Sequence, residues 1–149
     1  MKDLNKKECL DLLQNNYVGR IAYTTSGSAD IVPITYFYDP EHHAIISYSG
    51  IGSKISAMRD HKEVSFQVDE IESLNHWKSV LLHGEYEELS GISAKQQLHR
   101  FAEGVKKLIK KKDGHSAKYI EEFSSKVSED SIPIVYRIKI SEVKGKGRN

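Results

Sequence analysis

The chain has 149 residues, with 22 Lys and Arg against 21 Asp and Glu, a formal charge of +1 with histidine neutral, and a single cysteine, Cys9. That length normally makes one domain, which buries roughly two-thirds of its unfolded surface, and the near-zero charge removes the basic excess expected of a nucleic-acid protein. One thiol excludes an internal disulfide or a cysteine-based zinc site. No apolar run approaches the length of a membrane span, and the opening residues carry no apolar signal-peptide core. A single cytoplasmic domain over residues 1–149, with no nucleic-acid or membrane partner, is therefore expected.

In chain order, Cys9, Leu12 and Leu13 fall at helical spacing behind Asn5, a good N-cap residue, and predict a short amphipathic helix. The period then changes. Val18 to Thr25 and Ile31 to Tyr38 are rich in β-branched and aromatic residues and read as strands, separated by the turn cluster Ser26-Gly27-Ser28-Ala29-Asp30. A second turn, Asp39-Pro40-Glu41-His42-His43, precedes a third strand from Ala44 to Tyr48. After Ser49-Gly50-Ile51-Gly52-Ser53 a short helix is predicted from Lys54 to Asp60.

Val64-Ser65-Phe66-Gln67-Val68 alternates apolar and polar, the pattern of a half-buried strand. From Trp77 to Leu89 a longer strand places Val80, Leu82, Gly84 and Tyr86 on one face. Leu98, Phe101, Val105, Leu108 and Ile109 then form a helical stripe ending at Lys110-Lys111-Lys112, and a further helix is expected from Ser116 to Ser124. Ile134 to Ile140 is the last strand, followed by a basic tail. Six strands with interspersed helices predict a mainly β fold, an antiparallel barrel whose closure removes exposed edges, capped by helices.

Ser47-Tyr48-Ser49-Gly50-Ile51-Gly52-Ser53-Lys54 is the segment richest in chemistry. A strand ends, glycines let the backbone approach a ligand, and a helix begins at Ser53-Lys54. Free N–H groups at a helix start, hydroxyls and an ammonium suit a phosphate. Ile55 stands where a Walker A loop needs Ser or Thr and where a dinucleotide fingerprint needs its third glycine. The segment thus reads either as a phosphate loop outside both large nucleotide classes or as an ordinary turn before a capped helix. The seven histidines show no helical ligand pair, so no metal site is expected. The Lys106–Lys112 cluster reads as the solvated end of a helix, where cations suit the macrodipole. Nor does any Ser–His–Asp or paired-carboxylate set stand out as catalytic.

Taken in order, Gly19-Arg20-Ile21-Ala22-Tyr23, Ile31 to Tyr36, Ser47 to Lys54, Val64 to Asp69 and Trp77 to Glu85 resemble the FMN-binding split-barrel family. Within it, the chain is most similar to the small pyridoxamine 5′-phosphate oxidase-like flavoproteins that include the nitroimidazole-resistance reductases. The resemblance implies a six-stranded antiparallel split β-barrel and a homodimer with FMN at the subunit interface. It implies that Val32, Pro33, Ile34 and Thr35 run along the flavin ring. Ser47 and Tyr48 lie near the ribityl chain and phosphate, Ser53 and Lys54 grip the phosphate, and Trp77 and Ser79 reach the flavin from the other subunit. The function implied is a flavin-dependent oxidation or reduction of a small molecule, with a non-catalytic flavin- or haem-binding or sensing role as the alternative. Ile31, Tyr36 and Ser53 stand where the pyridoxine-phosphate oxidases carry basic residues, which counts against that particular oxidation. Ser47 stands where the nitroimidazole reductases carry histidine, which counts against their route of nitroreduction.

Overall fold

The structure, a computed structural model, describes residues 1–113 and 133–149. In chain order the elements are β1 (Lys2–Leu4), α1 (Lys6–Gln14), β2 (Val18–Thr25), β3 (Ser28–Thr35), β4 (Phe37–Asp39), β5 (Ala44–Ser49), α2 (Ser53–Asp60), β6 (Glu63–Ser73), β7 (His76–Glu88), α3 (Gly91–Asp113) and β8 (Ile134–Arg148). The fold is mainly β with helices. The helix expected over 116–124 lies outside the described residues.

All strands belong to one antiparallel sheet, ordered β3-β2-β6-β7-β8-β5-β4, with β1 pairing β8. Its two terminal strands, β3 and β4, are separated in sequence only by Tyr36. The sheet must therefore curl until its ends meet, and the covalent chain joins them where no ladder does. Tyr36 makes that corner: its N–H donates to the Tyr17 carbonyl at 2.8 Å, and its fully buried hydroxyl donates to the Leu13 carbonyl at 2.7 Å.

Among the described residues the sheet has eight strands where six were expected. Ile31–Tyr38 is not one strand, because the corner at Tyr36 divides it into β3 and β4. The additional strand β1 is three residues long and pairs Lys2, Asp3 and Leu4 with Gly147, Lys146 and Gly145. The expected basic tail is also a strand: β8 runs unbroken to Arg148 and pairs β7 throughout its second half. Val143, Gly145 and Gly147 form its inner row while Lys144, Lys146 and Arg148 point outward. A Cβ on Gly145 would lie 2.7 Å from the Cys9 sulfur, so bare glycine is what lets α1 pack there.

The remaining elements follow local chemistry. Asn5 caps α1 through a capping box, accepting from the Glu8 N–H while the Glu8 carboxylate accepts from the Asn5 N–H. Ser26 and Gly27, with φ of 49° and 81°, make the two-residue hairpin from β2 to β3. The main core lies inside the barrel, with Ile21, Tyr36, Ile45, Phe66, Val80, Leu82, Tyr136 and Ile138 essentially without solvent contact. A second cluster lies outside it, where Phe101, Val105 and Ile109 of α3 cover Ala44 and Ile46 of β5. Buried on both faces, β5 is the fixed strand from which the candidate site departs.

Candidate functional site

β5 ends at Ser49, and Gly50-Ile51-Gly52 carries the chain into α2. Ile55, Ala57 and Met58 bury the inner face of α2 and fix where its first turn points. Gly52 caps the helix without any side chain, and its carbonyl accepts from the Ser56 N–H at 3.0 Å. No side chain from the cap competes for the N–H groups that open α2. Ser53 is exposed beside them.

Lys54 is the unusual group. Its side chain is half-buried, and among the described residues it makes no ion pair or hydrogen bond. Burial disfavours the charged form and lowers the ammonium pKa below the ordinary lysine value. A half-buried cation with no counter-charge among the described residues, in the first turn of a helix whose cap lends no side chain, is placed to receive an anion. The fit to a phosphate-bearing group rests on this donor set.

Ser47 and Tyr48 take opposite faces of β5. The Ser47 hydroxyl is buried and donates to the Thr35 carbonyl at 2.8 Å, tying the end of β5 to the end of β3. Tyr48 turns to the outer cluster and meets Phe101 edge-on at 5.3 Å, where burial pushes its hydroxyl pKa up to about 12. On β3, Ile34 is buried and Val32 packs against the core, while Pro33 is exposed. The free edge of β3 accommodates Pro33, whose missing N–H would disrupt an interior strand. The structure thus brings Val32, Pro33, Ile34, Thr35 and Ser47 together, with Ser53 and Lys54 following directly from β5.

Trp77 and Ser79 stand apart from this group within one chain, since β2 and β6 intervene between β3 and β7. Trp77, half-buried, sits opposite Ile71 and Arg148. Ser79 accepts a hydrogen bond from Gln67 Nε2 at 2.9 Å, and Gln67 also donates to Asp69, whose carboxylate is paired with Arg20. This polar row on the outer face of the barrel was legible as alternation but not as a network, because its members come from three strands.

A second cluster escaped the sequence reading. Asp39 is 0% exposed and accepts from Arg100 at 2.9 Å, His42 Nδ1 at 2.6 Å and the Glu41 N–H at 3.0 Å. Burial raises its pKa, but the bonds from His42 and Arg100 outweigh burial and leave the carboxyl below its ordinary value. Asp39, Glu41 and His42 could together offer ligand atoms to a cation. Arg100, stacked on the Phe37 ring at 5.7 Å, already supplies the positive charge and ties α3 to β4.

The sequence model of the pyridoxamine 5′-phosphate oxidase family matches residues 5–147, and the chain belongs to that family. A solved FAD-binding protein from Mesorhizobium loti shares 28% identity and superposes with a TM-score of 0.71, covering 99% of this chain and 98% of that one. An FAD binding protein from Mycobacterium smegmatis shares the fold at 16% identity and TM-score 0.66, covering 99% of this chain and 100% of that one. A heme binding protein from Mycobacterium smegmatis does so at 14% identity and TM-score 0.72, covering 95% and 53%. Among curated proteins, an uncharacterized protein of Rhizobium meliloti (strain 1021) is 34% identical over 86 residues, 58% of this chain and 56% of that protein. The match thus spans little more than half the length of that relative. No described helix is long and apolar enough to cross a membrane.

Proposed function

We propose that the protein binds FMN and serves as a flavin-dependent oxidoreductase for a small molecule, as a homodimer with two equivalent interface sites. The observation that carries this reading is Lys54, a desolvated ammonium with no partner among the described residues, at the opening of an uncapped helix. A dianionic phosphate there would accept from Lys54, from the Ser53 hydroxyl and from the first N–H groups of α2. The macrodipole of α2 adds to the attraction.

Val32, Pro33, Ile34 and Thr35 offer the ring one flank of apolar side chains and an unpaired strand edge, whose backbone groups suit the polar rim of an isoalloxazine. Ser47 and Tyr48 belong to the strand that joins ring side to phosphate side. Trp77 and Ser79, remote within one chain, come from the second subunit. When bound, the flavin supplies the hydride or electron transfer; the protein binds it, orients it and shields one face. A haem-binding role draws less support, because the Ser47–Lys54 segment contains no histidine and His42, His43 and His83 already bond Asp39, Tyr38 and Ser65.

The Mesorhizobium loti relative is an FAD-binding protein, and FMN is preferred here because one cationic helix start provides for one terminal phosphate. Parallel titrations with FMN, FAD and riboflavin test this order. FMN is expected to bind most tightly, and tighter binding of FAD would reverse the assignment.

A further inference from the structure

The resemblance that suggested the site places Ser47 beside the ribityl chain and phosphate, but the Ser47 side chain is engaged elsewhere. Its residue is 2% exposed, and its hydroxyl donates to the Thr35 carbonyl at 2.8 Å. On the neighbouring strand its partner in register is Tyr136, itself fully buried and with its hydroxyl beside Ser47. The hydroxyl of Ser47 is thus enclosed by Thr35 on one side and Tyr136 on the other. Thr35 is the last residue of β3, and β3 and β4 are the two sheet ends that no ladder joins. The Ser47–Thr35 bond is a side-chain bridge across that unladdered seam.

We infer that Ser47 is a positioning residue that pins the end of β3 in place, and that it makes no contact with the phosphate. This rests on the flavin reading of the site and sharpens it. β3 pairs only with β2, a ladder that reaches Val18 opposite Thr35, so on its other edge its far end is held by the Tyr36 corner and by this bridge. Any ligand that uses the free edge of β3 depends on where that end sits. A buried neutral hydrogen bond of this kind holds a strand end against an alternative in which the Thr35 carbonyl faces water. The phosphate is then left to Ser53, Lys54 and the start of α2.

The two roles differ in which ligand feels the loss. FMN and riboflavin share the ring and ribityl chain, and only FMN carries the phosphate. Titrations of the full chain and of Ser47→Ala with both ligands, followed by quenching of flavin fluorescence, separate them. The bridge predicts that FMN and riboflavin weaken by the same factor, about three- to tenfold for a neutral hydrogen bond, with a shift in the visible band of the bound flavin. Loss confined to FMN means a phosphate contact and overturns the inference, as does unchanged binding of both. Should Ser47→Ala fail to fold, Ser47→Cys keeps the shape with a weaker donor and is expected to show a smaller, still equal, loss. An original chain that binds neither ligand overturns the flavin reading itself, an outcome distinct from either result on the variants.

Discussion

Lys54 and Asp39 are opposite solutions to the same cost of burying charge. Asp39 is compensated three times over, by Arg100, His42 and a backbone N–H, whereas Lys54 has no compensation among the described residues. The first pattern is structural, and the second is the one on which the proposed phosphate site rests. Lys54→Ala should weaken FMN by about one to two orders of magnitude, the size of a charge-assisted hydrogen bond, while leaving riboflavin affinity unchanged. FMN affinity of the original chain should also fall at alkaline pH earlier than an ordinary lysine would dictate, since burial lowers the Lys54 pKa. For Asp39 the folded-state pKa lies below the unfolded one, so its stabilisation is complete above the unfolded value. It is lost as pH falls through the folded value. Asp39→Asn should therefore cost about 2 kcal/mol near neutrality, less than a fully buried pair because Arg100 keeps some water contact. The melting-temperature gap to the original chain should close in acid.

Two close approaches show how tightly the elements are set. A Cβ on Gly84 would lie 2.5 Å from the Lys139 carbonyl oxygen, at the point where the β7–β8 register shifts. A Cβ on Gly104 of α3 would lie 2.3 Å from the Phe37 ring. Gly84→Ala meets backbone and should destabilise by about 3 kcal/mol; Gly104→Ala meets a side chain able to shift and should cost less. Gly50→Ala, with open space around it, should leave the thermal midpoint unchanged. Elements with one strong local signal were legible in sequence: Asn5 ahead of Cys9, Leu12 and Leu13 for α1, β-branched and aromatic richness for β2, and strict alternation over Val64–Val68 for β6. Those set by distant partners were not. Nothing in Ile31–Tyr38 announces the corner at Tyr36, which depends on Tyr17 and Leu13. The alternation of Val143, Gly145 and Gly147 with basic residues was present, but glycine looks apolar only once Cys9 and Leu4 are seen against it. The candidate site divides the same way. The helix start at Gly52-Ser53-Lys54 was readable, whereas the direction of the Ser47 hydroxyl depends on a carbonyl 12 residues away.

At the scale of the whole molecule, a barrel whose ends meet at Tyr36 leaves Lys54 and Trp77 on different parts of one chain. On the proposed function, one chain alone holds two halves of different sites, which a homodimer would unite. A mixture of Lys54→Ala and Trp77→Ala chains, exchanged into mixed dimers, should regain one site of original FMN affinity per mixed dimer, since each defect falls in the other site. No recovery in demonstrated mixed dimers would mean that the two residues serve one chain's site. Titration of the purified full chain with FMN tests the central claim most directly. Saturable quenching of flavin fluorescence at one FMN per chain, abolished or strongly weakened by Lys54→Ala, is the expected result; a chain that leaves FMN fluorescence unchanged at every concentration would contradict it.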